Sequence, residues 1–343
     1  MRRHLHASVT RITDLEHRPF EIHELPRDRW ETADYVLVEV LGPSHYPFEI
    51  ANGRLVDAVA GDMVIGALGK RSATLEVVGD WNHTSITGEM HALTGAGLFG
   101  LATSMSTWLK PLTPIVYRGH VTRDGQKLNM RDFVEQLPLG MPRAPVILLI
   151  GTSMSAGKTT TARVVVRMLV ERGLRVLACK LTGAARYRDI LSCLDVGAEH
   201  VMDFVDAGLP STVCEESVYV PALEHMLARM AVLDPDVIVA EAGASPLEPY
   251  NGACAVRHLL PQVVFSVLAA SDPYAVAGVM QAFEFRPDLV TGVATNTSAG
   301  LRLVEKLTGA AALNLLDETS REPLRQMLLR VLDGRPQGGV SRS

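Results

Sequence analysis

The chain has 343 residues, of which 47% are hydrophobic and 21% charged, and its formal net charge is −5. This composition is that of a folded globular protein with room for two domains, and it argues against intrinsic disorder. A slightly acidic chain has no broad basic field for nucleic acid, so we expect no nucleic-acid partner. No run approaches the ~18 uncharged apolar residues of a spanning helix, so we expect no membrane association.

The start of the chain and its cysteines bear on where the protein resides. Met-Arg-Arg-His-Leu-His is followed by Asp14 and Glu16 rather than by the apolar segment of a secretory signal, so we expect a cytoplasmic protein. The cysteines form no Cys-x-x-Cys pair and have no His at metal-ligand spacing, so zinc is unsupported. We expect four reduced, packed thiols: Cys179, Cys193, Cys214 and Cys254.

Residues 1–136 are predicted to form a small β-rich N-terminal domain, for which a barrel-like form is one arrangement. Tyr35–Leu41, Gly61–Leu68 and Ala73–Gly79 are short β-type runs separated by glycines and prolines. Gly95–Gly100 formally matches G-x-G-x-x-G, but it lacks a long preceding strand and an acidic residue about 20 positions on. We therefore favour a tight turn over a dinucleotide site.

A proline-rich stretch, Leu137–Pro145, divides the chain. Such a composition is typical of a linker, so we expect a linker at 137–145 and a second domain at 146–333. The last residues, 334–343, are rich in Gly, Ser and Arg, and we expect a disordered tail there.

An apolar strand followed by small residues begins the second domain. Val146–Ile150 is β-prone, and the chain then reads Gly-Thr-Ser-Met-Ser-Ala-Gly-Lys-Thr-Thr before a helix that begins near Lys158. Backbone N–H groups of such a loop can surround phosphate oxygens, and the positive helix end adds to the attraction. We predict a nucleotide-phosphate loop whose contacts come from Gly151, Thr152, Ser153, Ser155, Ala156, Gly157, Lys158, Thr159 and Thr160.

Two side chains of this loop are given roles by its pattern. Lys158, expected to be an exposed loop lysine, would lie against the β- and γ-phosphates, and the Thr159 hydroxyl would bind Mg²⁺. The usual spacing has four residues between the first glycine and the Gly-Lys pair. Gly151 to Gly157 encloses five, so Thr152 takes the place of that glycine. A helix start with no ligand is the alternative, and the flanking strand and helix disfavour it.

Beyond the loop, strand-like and helix-like patterns alternate, which predicts a parallel sheet covered by helices on both faces. The predicted fold class is α/β, a parallel-sheet nucleotide-binding domain preceded by a smaller β-rich domain. Ligands of such sheets bind at the carboxyl ends of the strands. The further predicted strands are Arg175–Cys179, Val237–Ala240, Gln262–Leu268, Leu289–Ala294 and Ala311–Leu316, and the predicted helices are Pro221–Leu233, Pro273–Phe283, Gly300–Leu307 and Ser320–Leu332.

The end of the second predicted strand carries cations. Lys180, Arg186 and Arg188 lie within a stretch that reads Lys-Leu-Thr-Gly-Ala-Ala-Arg-Tyr-Arg-Asp. At the carboxyl edge of the sheet these cations can hold an anionic substrate opposite the nucleotide. A solvated loop is the alternative, and we favour it for Arg188 alone.

The third predicted strand ends in a carboxylate. Glu241 is placed like the Walker B acid of nucleotide-hydrolysing proteins, where it would hold Mg²⁺ or its water. A buried glutamate without a cation is costly, so we favour the metal ligand over a structural role. The fifth predicted strand ends in Thr295-Asn296-Thr297, where the Asn296 amide can pair with a purine edge. A helix cap is an equal alternative there.

Ordered motifs along the second domain resemble a known family. The Gly-Thr start of the loop, the Lys-x-Thr-Gly at Lys180 and the Glu-x-Gly-x at Glu241 look like dethiobiotin synthetase and its relatives. A closer likeness, over about residues 146–316, is to the P-loop NTPase family that contains a D-glutamate N-acetyltransferase. Four motifs of that family correspond here to Gly151–Lys158, Asp203–Gly208, Glu241–Gly252 and Thr295–Thr297.

Some positions depart from that family's pattern. Ser153 and Met154 replace Asp-Cys in the loop, Ala242 replaces a glycine, and Glu248 stands where the family has His. The first ~140 residues do not resemble that family's N-terminal domain. The resemblance thus implies a nucleotide site more than it implies an acceptor chemistry. The candidate catalytic residues are Lys158, Lys180 and Glu241, and the candidate substrate-binding residues are Lys180, Thr182, Arg186, Asp189, Asp206, Ser245 and Tyr250.

The sequence predicts an enzyme that uses ATP and Mg²⁺ to activate a small anionic substrate by phosphoryl transfer, for amide or related ligation. Positioning and charge neutralisation would do most of the catalysis. The resemblance suggests a second hypothesis, an N-acyltransferase whose loop grips a coenzyme A phosphate. A third is a nucleotide-dependent switch or metallochaperone that acts on a protein partner. The choice of ATP or GTP, the second substrate and homo-oligomerisation stay open.

Overall fold

The computed structural model describes residues 4–333 and contains two large sheets, one from strands within residues 4–127 and one from strands within 146–291. Residues 134–145 join them without helix or strand. No helix within the described range is long and apolar enough to cross a bilayer. The segment predicted to be a disordered tail, 334–343, lies outside the described residues.

The first sheet system is built from short strands. In chain order these are β1 His4–His6, β2 Glu21–His23, β3 Tyr35–Val40, β4 Phe48–Glu49, β5 Leu55–Val56, β6 Met63–Leu68, β7 Lys70–Ser72, β8 Val77–Asp80, β9 Glu89–Thr94, β10 Leu98–Met105, β11 Pro114–Arg123 and β12 Gln126–Lys127. Five of them close into a barrel in the order β6-β3-β11-β9-β10, because β10 pairs back onto β6. Closure leaves these five strands without an open edge.

The second sheet is parallel throughout and carries the helices. Its strands are β13 Val146–Gly151, β14 Val176–Thr182, β15 His200–Asp203, β16 Val237–Ala242, β17 Val263–Ala269 and β18 Leu289–Thr291. They lie in the order β15-β14-β16-β13-β17-β18. The helices are α1 Lys158–Glu171, α2 Tyr187–Leu194, α3 Glu216–Leu233, α4 Gly252–Leu259, α5 Pro273–Ala282, α6 Ser298–Thr308 and α7 Arg321–Asp333.

The predicted α/β class with a β-rich N-terminal part is confirmed, and some predicted elements are wrong. Ala311–Leu316 is not a strand, because only Ala312 forms a single bridge, to Val290. The last strand stops at Thr291 and a short 3₁₀ turn follows it. Helix α3 begins before Pro221, because its first turns pack against the core through Tyr219. Strand β15 and helices α2 and α4 were not predicted.

Strand β3 is buried on both faces and joins the two halves of the molecule. Val36 and Val38 point to the hydrophobic core inside the barrel. The alternate residues Tyr35 and Leu37 belong to a second cluster that also contains Leu223 of α3. Since side chains alternate along a strand, one strand contributes to both cores. This explains why its sequence is apolar except at Glu39, which is only partly buried.

Buried polar contacts also hold the barrel against the second sheet. The Arg11 guanidinium lies 2.7 Å from Asp203 and 2.9 Å from Asp206, and it stacks 4.6 Å over the Tyr187 ring. Arg11 and Asp203 have side chains only 8% and 0% exposed. An ion pair this deep leaves a costly unpaired charge if one partner is removed. Asp206, predicted to bind substrate, therefore has a structural partner.

The carboxylate of Glu49 provides a second polar link. It accepts hydrogen bonds from the backbone N–H groups of Tyr187 (2.6 Å) and Arg188 (3.1 Å) at the start of α2, and from the Ser8 hydroxyl (2.7 Å). A negative group at a helix N-terminus satisfies free N–H donors and favours the helix dipole. Thus a barrel-side residue caps a helix of the second sheet.

Replacing Arg11 tests the importance of its ion pair. In Arg11→Met the apolar stem is kept while Asp203 loses its partner, so we expect the free energy of unfolding to fall by about 3–5 kcal/mol. Urea unfolding of the two proteins measures this difference. The matched control is Arg18→Met, whose guanidinium is 69% exposed in a 3.5 Å pair with Asp14, and it should change stability by less than about 1 kcal/mol. Equal effects of the two substitutions would contradict the proposed role.

Candidate nucleotide-binding site

The loop between β13 and α1 depends on two glycines. Gly157, the residue before α1, has φ of 103°, and a Cβ there would lie 3.3 Å from the Cα of Gly292. A Cβ at Gly151 would lie 2.7 Å from Nζ of Lys158. Larger residues at these positions would strain the backbone at the first and crowd the lysine at the second. The glycines of the sequence motif are therefore required by the local shape.

The start of α1 offers unused hydrogen-bond donors. The N–H groups of Gly157, Lys158 and Thr159 donate to no protein acceptor among residues 4–333. They stand at the N-terminus of a 14-residue helix, where the dipole is positive. Free donors combined with a positive helix end suit a phosphate group.

Lys158 is buried in this loop. It is only 3% exposed, so the expectation of an exposed lysine is wrong. Its Nζ donates to the Ser153 carbonyl oxygen at 2.6 Å. Burial lowers the pKa of Lys158, and the charge of Glu241 opposes that shift. An ammonium has three donors, so Lys158 keeps capacity for phosphate oxygens beyond the loop carbonyl.

Glu241 lies at the carboxyl end of β16, one strand from the loop. It is 7% exposed and sits beside Leu149 of β13 and Lys180 of β14 in the sheet register. Its carboxylate has no hydrogen bond or ion pair to another described residue. Burial raises the pKa of Glu241, while Lys180 and Lys158 act in the opposite direction. Strand β13, the loop 152–157 and helix α1 together form the strand–loop–helix unit of a P-loop.

The side-chain oxygens of Thr159, at the start of α1, and of Glu241, on β16, are groups that suit Mg²⁺. Both residues line one cleft, and hydroxyl and carboxylate oxygens are ligands that Mg²⁺ prefers. Within residues 4–333 no three or more His, Cys, Asp or Glu side chains converge as a metal site. Phosphate and water oxygens would have to complete the shell, as is usual for magnesium at phosphate sites. The donor set thus fits the ion.

Next to the P-loop, the end of β14 holds a buried ion pair. Nζ of Lys180 lies 2.5 Å from Asp189, which belongs to α2. Burial disfavours the lysine charge, but Asp189 and Glu241 outweigh it and raise the pKa of Lys180. Arg186 is exposed, with Nε 3.9 Å from Asp189. Lys180, Arg186 and Asp189 all face the same cleft as the P-loop.

That cleft has a volume of about 450 Å³ and lies between the P-loop and the barrel. A volume of this size is typical of small-molecule sites. One side is formed by Lys158, Thr159, Lys180 and Glu241, and the other by barrel residues. The cleft residues on the barrel side lie in the loops and short strands that flank the barrel, and they include Tyr46, Leu55, Arg71, Glu76, Leu109 and Leu112.

The barrel also contacts the tip of the P-loop directly. Ser155 donates a hydrogen bond to Glu76 at 3.1 Å, and Glu76 is in turn paired with Arg71. Arg71 lies 3.9 Å from the sulfur of Met154. Arg71 and Glu76 were not predicted, because about 80 residues of sequence separate them from the loop and no motif marks them. Only the three-dimensional arrangement brings them together.

Several candidate substrate contacts do not line the cleft and have structural partners instead. Thr182 donates to the carbonyl oxygen of Gly243, and the Ser245 hydroxyl accepts from the N–H of Leu247. Tyr250 is fully buried, and its hydroxyl accepts from the Ser72 N–H at 2.9 Å. The positions of Thr182, Ser245 and Tyr250 give no support to the substrate-binding roles predicted for them. Those roles stay predictions. Asp206, paired with Arg11, is in the same situation.

The remaining candidate nucleotide contacts occupy different positions around the P-loop. Thr152 is tied to the next strand, since its hydroxyl accepts from the Ser271 N–H at 3.0 Å. Thr160 is exposed on the first turn of α1. Asn296 is exposed, which leaves its amide free for a base, while the Thr297 hydroxyl caps α6. The helix-cap alternative therefore applies to Thr297, and base pairing by Asn296 stays a prediction.

Comparisons with known proteins add little beyond the fold. No model of a known protein family matches the chain, and no curated protein does. Chloroplast FtsY from Physcomitrella patens is 16% identical with a TM-score of 0.36, over 52% of this chain and 61% of that one. The hydrogenase maturation factor HypB from Archaeoglobus fulgidus is 13% identical with a TM-score of 0.37, over 55% and 90%.

A third similar structure is a DUF1611 family protein from Anabaena variabilis, 15% identical with a TM-score of 0.38, over 62% of this chain and 66% of that one. The chain thus spans less than two thirds of the FtsY and DUF1611 chains. At these identities and scores the likenesses carry no argument about activity. The likeness to the D-glutamate N-acetyltransferase family stays a prediction.

Lys158→Met tests the P-loop assignment. Methionine keeps the buried stem but removes the ammonium, so affinity for a fluorescent nucleotide with Mg²⁺ should fall about a hundredfold. The matched control, Lys306→Met on exposed α6, should bind as the wild type does. Circular dichroism checks that both variants are folded. If folded Lys158→Met bound the nucleotide as the wild type does, the assignment of this loop as a phosphate-binding P-loop would be contradicted.

Glu241→Gln should change activity and stability differently. The amide keeps the shape but loses the metal-binding charge, so nucleotide turnover should fall at least about a hundredfold, with a smaller loss of nucleotide affinity. Because burial disfavours the carboxylate, the unliganded variant should be as stable as the wild type or more so. Turnover assays and urea unfolding measure the two effects. Normal turnover at saturating Mg²⁺ would contradict the metal-binding role of Glu241 and support a structural one.

Proposed function

We propose that the protein is an enzyme that uses ATP and Mg²⁺ to phosphorylate a small anionic substrate, as a step towards amide or related ligation. The observation that carries this proposal is the cleft, which places the P-loop lysine, a free carboxylate and basic side chains around one volume of about 450 Å³. Phosphoryl transfer needs a second substrate positioned beside the γ-phosphate. A walled cleft at that place supplies such a position.

The nucleotide half of the site would work by charge neutralisation. The free N–H groups at the start of α1 would bind phosphate oxygens, and Lys158 would neutralise the charge shared by the β- and γ-phosphates. Thr159 and Glu241 would hold Mg²⁺, which supplies further neutralisation of the phosphate oxygens. Burial of Lys158 and Glu241 makes these interactions stronger than they would be in water.

The acceptor half of the site would orient a carboxylate. Lys180 and Arg186 would hold it so that one oxygen forms a bond to the γ-phosphorus while the bond from that phosphorus to the β,γ-bridging oxygen breaks. ADP leaves and an acyl phosphate remains. An amine then attacks the acyl carbon, the bond from that carbon to the phosphate oxygen breaks, and the departing inorganic phosphate takes the proton that the amine loses. Asp189 keeps Lys180 charged and in place through its 2.5 Å contact.

One observation favours a second candidate function, a nucleotide-dependent switch that acts on a protein partner. The bond from Ser155 to Glu76 connects the P-loop to the barrel, so a change in the loop can reach the barrel surface. Slow hydrolysis that only a protein stimulates would support this candidate. Acyl transfer from a coenzyme A thioester without nucleotide would instead support the acyltransferase hypothesis.

Lys180→Ala and Arg186→Ala test the acceptor half of the site. A lost charge-assisted hydrogen bond costs on the order of 1.5–3 kcal/mol, so kcat/KM for the acceptor should fall about ten- to a hundredfold. The Kd for nucleotide should change little, because neither residue belongs to the P-loop. Small carboxylates and amines are screened for stimulation of ADP release, and each hit is measured with the variants.

The matched control for this experiment is Arg175→Ala. Arg175 precedes β14 at the opposite end of the strand and pairs with Asp236 at 3.0 Å. Its loss should leave kcat/KM for the acceptor unchanged. If no small molecule stimulates ADP release and a protein does, the enzyme proposal is wrong and the switch is supported.

A further inference from the structure

The barrel side of the cleft has an apolar part, beside the charged residues Arg71 and Glu76. Tyr46 and Leu109 are partly exposed there, and Leu55 is 41% exposed. Leu112 and Leu93 lie behind them in a hydrophobic cluster that also includes Tyr46 and Leu109 as partly buried members. When a ligand covers apolar side chains in a cleft and removes them from water, the burial of that surface favours binding.

The apolar surface is held in a fixed position. The Tyr46 hydroxyl accepts a hydrogen bond from the Lys110 N–H at 3.0 Å, which fixes the ring beside the segment that carries Leu109. The Ser44 hydroxyl donates to the Tyr46 carbonyl oxygen at 2.6 Å. A preformed surface of this kind loses little entropy when it binds a ligand.

The charged side of the cleft carries guanidinium groups whose charge is not fully paired. Asp189 is committed to Lys180, and Glu49 is committed to the start of α2. Among residues 4–333, the one ion pair of the Arg186 side chain is its 3.9 Å contact with Asp189. The guanidinium of Arg188 forms no ion pair with any residue in the described part of the chain. Both arginines are exposed at the cleft and have donors available for an anion.

Resting on the proposed function, we propose that the acceptor is amphipathic, a carboxylate attached to an apolar chain or ring. Its carboxylate would face Lys180 and Arg186, and its apolar body would lie against the surface of Tyr46, Leu55 and Leu109. The two sides of the cleft differ in the way such a molecule requires: cationic side chains lie on one side and an apolar surface lies on the other. A short, fully polar acid would leave the apolar surface in contact with water, so its binding would gain nothing from burial of that surface.

The test uses straight-chain carboxylates from acetate to octanoate. Calorimetry measures their binding in the presence of Mg²⁺ and a non-hydrolysable ATP analogue, and ADP release with ATP is measured separately. Affinity should rise about three- to fourfold for each added methylene until the cleft is full. Leu109→Ser should flatten this dependence, while the Kd for the nucleotide analogue stays within about twofold.

Two further variants keep the test decisive. Leu109→Phe keeps the surface apolar but narrows the cleft, so the best chain length should become shorter even if Leu109→Ser folds poorly. Leu139→Ser, an exposed position in the segment between the sheets, is the matched control and should keep the wild-type dependence on chain length.

The outcomes separate this inference from the proposed function. Tighter binding of longer carboxylates without ADP release would support the amphipathic site and contradict the enzyme proposal. ADP release that acetate and octanoate stimulate equally would support the enzyme and overturn the amphipathic acceptor. Failure of every carboxylate to bind would also overturn the inference.

Discussion

The burial of β3 on both faces is the constraint on which the arrangement of the molecule depends. One set of alternating side chains, Val36 and Val38 among them, fills the barrel, and the other set packs against the helices of the parallel sheet. A one-residue shift of register would move each set to the wrong core. The barrel therefore has one position relative to the P-loop, and the cleft between them has fixed walls.

The chemistry of the site depends on buried charges that the protein itself leaves incompletely matched. Burial lowers the pKa of Lys158 and raises that of Glu241, so each group is held where its charged form is least favoured. Lys180, in contrast, is matched by Asp189. Lys158 and Glu241 offset each other only in part, so a nucleotide with its metal ion would bring further opposite charges to both. Binding there would add favourable charge interactions that the unliganded protein does not have.

Local pattern was enough to predict the P-loop and most of the parallel sheet. The strand at Val146–Ile150, the small residues after it and the helix from Lys158 are determined by neighbours in sequence, and the structure has them at those positions. The apolar runs of β14 and β16 were also predicted, although each strand continues past its predicted end, to Thr182 and to Ala242.

Tertiary contacts explain what local pattern missed. Strand β15 begins with His200 and ends with Asp203, and it forms a strand because β14 pairs with it. Motif residues such as Tyr250 and Asp206 were expected in the substrate site, yet they bond to Ser72 and Arg11 of the other half. No pattern within the second domain could indicate those partners. Conversely, Ala311–Leu316 has a strand-like composition but only one bridging residue.

The shared core has a consequence for how the molecule comes apart. Residues 134–145 separate the two sheets along the chain, yet a single hydrophobic cluster runs through both, and the Arg11 and Glu49 contacts cross the same boundary. A proteolytic cut in the exposed stretch around Leu139 would thus leave two fragments that remain associated. Heating should melt both halves in one cooperative transition, although the covalent chain suggests two.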